Sequence, residues 1–165
     1  MIPLKRPNLA ISVFFILALS AVFWPLLTHD FVSIDDTVYV TGNPYVRSGI
    51  TAKNITWAFT TFDAEFWHPL TWLSLMADAQ IFNGSPFGFH LSNLLLHILN
   101  TLLLFFFLKK ATGKLWQSAF AAFVFGLHPL HVESVAWIAQ RKDVLSTFFW
   151  LLTLWCYAHY VGKPK

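Results

Sequence analysis

Charge is scarce in this chain. Only 12% of its 165 residues are charged, against about 25% in an ordinary soluble domain. Hydrophobic residues make up 56%, and the mean hydropathy is +0.57. So little charge to cover a water-exposed surface argues against an ordinary soluble fold. Cysteine is scarcer still: the single Cys156 sits inside an apolar run, so neither an intramolecular disulfide nor a cysteine-based metal site can form. The G-x-x-x-x-G-K-[ST], G-x-G-x-x-G and G-x-S-x-G signatures are all absent, removing the usual phosphate-cradling loops and the nucleophile elbow. The formal net charge of +3 does not point to nucleic acid, because the cations gather at the ends of apolar segments rather than along one stripe.

What is present is an alternation. Apolar segments near the roughly 20 residues needed to cross a bilayer are separated by segments carrying the acids, histidines and tryptophans. The chain reads as one all-α membrane domain over 1–165, with about four spans: 9–28, 87–108, 116–128 and 144–161. Lys5 and Arg6 before Leu9–Leu27 could open a signal peptide. That apolar region exceeds the usual stretch of about 7–15 residues, and no A-x-A-like site follows it, so it reads as an uncleaved span. Lys5, Arg6, Lys109, Lys110, Lys114, Lys163 and Lys165 flank the spans on one side, with no acid among them. The loop 29–86 holds Asp30, Asp35, Asp36, Asp63, Glu65 and Asp78 against Arg47 and Lys53, and the loop 129–143 adds Glu133, Arg141, Lys142 and Asp143. The positive-inside rule then puts both termini in the cytoplasm and both acidic loops outside or in a lumen, in a bacterial inner membrane or the endoplasmic reticulum.

Span 3 is the shortest. His128-Pro129 disfavours helix at the residue before proline, so the span ends there or continues kinked, with a re-entrant segment as the alternative. The first loop is too long to be plain coil. Thr51–Phe62 places Ile55, Phe59 and Phe62 on one side, with Thr51 as a cap. Pro69–Phe82 starts with proline at a first helical position and ends at the turn Asn83-Gly84-Ser85-Pro86. Both pieces suit an interfacial setting, with Trp67 and Trp72 at the level tryptophan prefers. Asn54-Ile55-Thr56 fits a glycosylation acceptor.

Three constellations carry chemistry. His90, Asn93, His97 and Asn100 recur at spacings of three, four and three on one face of span 2. They serve either as interhelical glue or as part of a site; His90, nearest the outer face, is the better site candidate. Asp35-Asp36 follows span 1, either as solvated or turn-forming carboxylates or as a pair in which one carboxyl is tuned toward a general base. His128-Pro-Leu-His131-Val-Glu133 opens the second loop and Arg141-Lys142-Asp143 closes it. A basic cluster at a headgroup level suits a lipid phosphate, whereas the plainer reading has Arg141 and Lys142 snorkelling, with Glu133 paired to one of them. A divalent metal on His131 and Glu133 is a further alternative, but H-E-x-x-H is absent and no third ligand is assigned. The zinc deaminase pattern is excluded because its P-C-x-x-C is missing.

Together, the Asp35-Asp36 pair, Gly84-Ser-Pro-Phe-Gly-Phe-His90-Leu-Ser-Asn93-Leu-Leu-Leu-His97, His128-Pro-Leu-His131-Val-Glu133-Ser-Val-Ala-Trp-Ile and Arg141-Lys-Asp143-Val-Leu resemble the N-terminal membrane region of the tetratricopeptide-repeat-containing transmembrane O-mannosyltransferases, glycosyltransferases of the GT-C type. The resemblance runs from about Asp30 to Tyr160, and its most specific part is His128–Val144. It implies an inverting transfer of a sugar from a polyprenyl-phosphate donor to a hydroxyl of a protein or glycan acceptor at the outer face. It implies Asp35 or Asp36 as the base, Arg141 and Lys142 at the donor phosphate, and His90, His131, Glu133 and Asp143 lining the site. Family members carry more spans and a repeat domain. No 34-residue repeat is present here, so the resemblance implies an N-terminal portion that is not competent alone. Two other readings remain: a non-catalytic module binding lipid phosphate or partner helices, and a transporter fragment using the span 2 stripe.

Overall fold

In the computed structural model, residues 6–161 are described; Lys5, Lys163 and Lys165 of the flanking cations lie outside them. The described chain is helical, with no strand. α1 (Arg6–Phe23) continues into a 3-10 turn at Trp24–Thr28. Four helices follow in chain order: the short α2 (Pro44–Arg47), α3 (Ala52–Thr60), α4 (Pro69–Ile81) and the long α5 (Pro86–Thr112). α6 (Leu115–Leu127) breaks into the short α7 (Val132–Ala136), and α8 (Arg141–Val161) closes the chain. Three helical stretches are long and apolar enough to cross a membrane: Arg6–Thr28, Pro86–Thr112 and Ile138–Val161. The pair Leu115–Leu127 and Pro129–Ala136, bent by 50°, makes a fourth if counted as one broken span.

α5 is the central post: α1, α4, α6, α7 and α8 all pack on it. Leu19, Phe23, Leu94, Ile98, Val135 and Val144 form one apolar cluster around it, and Phe15, Phe105 and Ala122 form another toward the opposite end. The outward sides stay apolar and exposed, at Leu17, Phe120 and Trp150 among others, as helices facing lipid require. α5 ends at Gly113, whose left-handed φ of 72° caps the helix and closes the turn into α6. At that end Lys109 Nζ donates to Asn8 Oδ1 of α1 at 2.7 Å.

The segment between α1 and α5 is a folded cap on the other end of the bundle. Thr51 caps α3 by accepting the Asn54 N–H at 3.1 Å, and the Ile55, Phe59 and Phe62 side faces outward. Trp72 departs from the interfacial position. It is fully buried, in a ladder of rings running Tyr45–Trp57–Trp72–Tyr39–His68, with neighbouring centroids 4.5 to 5.7 Å apart. Trp67 stays exposed, its Nε1 donating to the Phe59 carbonyl at 3.0 Å. Asn54 is also not the surface acceptor its sequon suggests. It is buried, and its Nδ2 lies 2.7 to 3.0 Å from the Tyr45 and Gly49 carbonyls and the Ser48 hydroxyl. In the folded chain this amide is engaged inside the cap rather than presented at the surface.

Candidate functional site

The site candidates meet where the cap sits on the bundle, and the breaks in the chain explain how. Pro129 has no N–H, so the Phe125 carbonyl four residues back loses its helical donor. It keeps only a long bond from the His128 N–H at 3.5 Å, and the His131 ring completes it, with Nδ1 2.7 Å from that carbonyl. The Leu130 N–H turns to His128 Nδ1 at 3.2 Å, which leaves the Gly126 carbonyl open, and His97 Nε2 of α5 meets it at 2.9 Å. Gly126 allows this approach: a Cβ there would stand 3.1 Å from Leu19 and Thr101. At the second break, between α7 and α8, Asn93 Nδ2 donates to the Val135 and Trp137 carbonyls at 3.1 and 3.2 Å. Asn100 Nδ2 donates to the Val144 carbonyl at 2.8 Å. Three members of the α5 stripe thus tie neighbouring helices by hydrogen bonds to backbone carbonyls, His97 and Asn93 beside the breaks and Asn100 within α8.

His90 differs. It is buried, and neither ring nitrogen makes a well-formed hydrogen bond among the described residues, the backbones of Asp30 and Ala136 lying near the ring. Asp36 lies within electrostatic reach of it. The two carboxyls of the Asp pair are separated by their surroundings. Asp36 is buried, with Oδ2 accepting the Val32 N–H at 2.8 Å and Oδ1 accepting the Ala139 N–H at 3.0 Å. It therefore staples the first loop to the second. Burial pushes its carboxyl above the ordinary aspartate value, against the opposing pull of those two N–H groups and of His90. Asp35 is only half-buried, and its charge reaches Tyr39, whose hydroxyl is pushed up by burial and then by Asp35 and Asp143.

Arg141 and Lys142 separate in the same way. The sequence reading puts both at a phosphate. In the fold the Arg141 guanidinium is enclosed, with Nη2 2.6 Å from Asp78 Oδ2 and 2.9 Å from the Phe89 carbonyl, and Nε donating to Asn93 Oδ1. Asp78 also accepts the Ser92 hydroxyl at 2.7 Å. This network joins α4, α5 and α8, and an external phosphate would reach Arg141 only by opening the ion pair. Lys142 points the other way. Its Nζ sits 5.3 Å from the Tyr39 ring centroid and 6.0 Å from that of Phe66. Its hydrogen bond goes to the Ala139 carbonyl at 3.3 Å, and no carboxylate lies within ion-pair distance of it among the described residues.

Asp143 is exposed and accepts the Ser134 hydroxyl at 3.2 Å, and Glu133 is exposed. Among the described residues no three His, Cys, Asp or Glu side chains converge to hold a metal ion; His131 is turned inward to Phe125 rather than toward Glu133. Sequence reasoning missed Asp78, Tyr39 and His68. Asp78 carried a signal, being a lone acid near the end of an otherwise apolar helix, which implies an enclosed partner. Tyr39 and His68 carried none, because only the ring ladder brings them beside Lys142.

The sequence itself matches known proteins. Protein O-mannosyl-transferase TMTC1 of Mus musculus is 34% identical over 137 residues, covering 74% of this chain and 14% of that protein. Protein O-mannosyl-transferase TMTC2 of Homo sapiens is 38% identical over 91 residues, covering 55% of this chain and 11% of that protein. Protein O-mannosyl-transferase TMTC3 of Homo sapiens is 26% identical over 181 residues, covering 99% of this chain and 18% of that protein. The homologues of this chain are thus the transmembrane protein O-mannosyl-transferases. The chain is an integral membrane protein spanning less than a fifth of the length of these homologues. No family model matches the chain, and no solved structure does.

Proposed function

We propose that this chain is the N-terminal portion of a GT-C-type membrane glycosyltransferase, one that moves a sugar from a polyprenyl-phosphate donor to a hydroxyl of a protein or glycan acceptor. The cap faces the outside or the lumen, and both termini lie in the cytoplasm. Asp35 is the base that takes the acceptor proton, and Asp36 is the positioning residue that ties the base-bearing loop to the loop bearing the cations. Lys142 meets the departing phosphate, where a fixed cation stabilises the charge that grows in the transition state. Arg141 holds the cap in register from below.

The observation that carries this reading is the joining of the two loops: Asp36 accepts the Val32 N–H of the first and the Ala139 N–H of the second, which sets the half-buried Asp35 next to the staple and brings Lys142 over the Tyr39 ring of the same first loop, with no carboxylate within ion-pair distance of its ammonium among the described residues. A base and a cation carried on two loops tied together is what displacement of a phosphate leaving group by a hydroxyl needs. The transporter alternative loses its polar pathway, since Asn93, His97 and Asn100 are committed to backbone carbonyls.

The test is sugar transfer from a radiolabelled polyprenyl-phosphate mannose, in membranes holding the longest protein that contains this chain. Asp35→Asn is expected to lose about 100-fold or more in rate with unchanged membrane insertion, the scale of a lost general base. Full activity in Asp35→Asn would remove Asp35 from the chemistry.

A further inference from the structure

Where α7 and the first turns of α8 pack on α5, the helices leave a small polar cavity of about 60 Å³. α5 contributes His97 and Asn100, the break after α6 and the short α7 contribute His131 and Ser134, and α8 contributes Asp143 and Thr147. At a liquid share of about 30 Å³ per water, the cavity has room for two waters or for one small ion and a water. The hydrogen bonds already made turn acceptors toward it. His97 meets the Gly126 carbonyl with Nε2 at 2.9 Å, and His131 meets the Phe125 carbonyl with Nδ1 at 2.7 Å. Those nitrogens carry the protons, so in each neutral ring the other nitrogen keeps a lone pair. Asn100 donates Nδ2 to the Val144 carbonyl at 2.8 Å, while its Oδ1 is buried without a partner among the described residues. Ser134 donates its hydroxyl to Asp143 Oδ2 at 3.2 Å. α6 ends beside the cavity at Leu127 and adds the negative end of its dipole.

Charge selects the occupant. With both rings neutral, Asp143 gives the walls one formal negative charge. No Lys or Arg lines the cavity, and Asp143 has no cation within ion-pair distance among the described residues. An anion would meet lone pairs. A transition metal needs several imidazole, thiolate or carboxylate ligands at once, and no three such groups converge among the described residues. A divalent ion would keep one charge unneutralised beside apolar helices, which is costly. Oxygens of one carboxylate, one amide and two hydroxyls suit a hard cation of single charge, and the C-terminal end of a broken membrane helix is where such an ion is favoured. The route is open: Asp143 is exposed and Asn100 is fully buried, so an ion enters past the carboxylate and comes to rest at the amide. Asp143 and Thr147 are one turn apart and share a face of α8.

We propose that this cavity is a binding site for one monovalent cation of the sodium class, held by the Asp143 carboxylate, Asn100 Oδ1 and the Ser134 and Thr147 hydroxyl oxygens, with water bridging to the free nitrogens of His97 and His131. The ion ties α5, α7 and α8 together at the break in the chain. No step of sugar transfer passes through it, so the site stands or falls apart from that reading.

The full chain in an uncharged detergent is unfolded by heat in sodium chloride and, at equal concentration, in choline chloride, so that screening is the same in both and only sodium is small enough to enter. Saturating sodium is expected to raise the midpoint by about 3 °C, and radioactive sodium should bind the folded protein at one site. Asp143→Asn should abolish the sodium difference. Thr147→Val, which keeps the side-chain shape and loses one oxygen, should shrink it, and decides the matter if Asp143→Asn does not fold. Each variant is compared with itself in choline, so its own change in stability cancels. Glu133→Gln removes an exposed acid of the same loop that does not line the cavity, and should keep the full difference. Equal midpoints in sodium and choline, with no sodium bound, would mean that water alone fills the cavity and would overturn the site. A difference that persists undiminished in Asp143→Asn and Thr147→Val would overturn it as well. So would a larger rise with magnesium at equal ionic strength, because the match to a single charge would then be wrong.

Discussion

The bundle and its cap are held together by opposite means. In the bundle, polar side chains of α5 reach across to backbone carbonyls: His97 to Gly126, Asn93 to Val135 and Trp137, Asn100 to Val144. In the cap, ring faces do the holding, from Tyr45 through Trp57, Trp72 and Tyr39 to His68. The difference follows from the solvent. A helix that breaks inside a bilayer leaves carbonyls that lipid cannot satisfy, so a neighbouring helix must supply donors. A cap that meets water can leave loop backbone to solvent and stabilise itself by burying aromatic area. One consequence is chemical: toward the cap, His68 and His90 keep both ring nitrogens without a hydrogen-bond partner among the described residues, and Lys142 has no carboxylate within ion-pair distance among them.

The strongest way to break the comparison is at the one place where a buried charge crosses from bundle to cap. Arg141→Ala leaves Asp78 and Asn93 without their partner in an enclosed site. Removing one member of a buried ion pair costs about 3–5 kcal/mol, so the variant is expected to lose its cooperative thermal transition in detergent. The double variant Arg141→Met, Asp78→Leu removes both charges and should regain most of the loss. If Arg141→Ala melts like wild type, the network does not hold the cap.

A smaller effect is expected inside the bundle. His97→Leu strips the donor from the Gly126 carbonyl, one of two that the proline break opens. An unsatisfied buried carbonyl costs about 1–3 kcal/mol in water-soluble proteins, and interhelical bonds in membranes average nearer 0.6; a loss of about 1 kcal/mol is expected by reversible unfolding. Pro129→Ala should partly rescue it, because an N–H at 129 restores a helical donor for the Phe125 carbonyl and lets the Leu130 N–H return to Gly126. Without any rescue, the histidines are not substitutes for the missing proline N–H.

The fold class was readable because lipid imposes it: apolar length and scarce charge leave little besides a helix bundle. The α5 stripe was readable as an inward polar face, since a spacing of three, four and three has that one meaning on a helix. Which carbonyl each side chain meets was not readable, because that depends on where α6 and α7 break and how far they bend. Arg141 and Lys142 show the limit most plainly. They are adjacent and alike in sequence, but successive residues on a helix point about 100° apart; one turns in to Asp78 and the other out over Tyr39. The same holds for Asp35 and Asp36, separated by which of them meets the Ala139 N–H. Asp78 was within reach of sequence reasoning and was passed over; His68 was not, since its neighbours Tyr39 and Lys142 lie 29 residues before it and 74 after it.

The smallest expected effect is a pH dependence confined to the cap. Burial, and then the nearby Lys142, hold His68 below its ordinary value of 6.5. A histidine whose folded value is lowered contributes stability that is present above 6.5 and lost as pH falls through the folded value, because the native state resists the proton that the unfolded state accepts. Thermal unfolding of wild type between pH 8 and 5 should therefore fall more steeply with acid than that of His68→Phe. Taking the difference cancels the buried His90 and His97, which both proteins share. Parallel curves for the two proteins would mean that His68 is a stacked ring and nothing more.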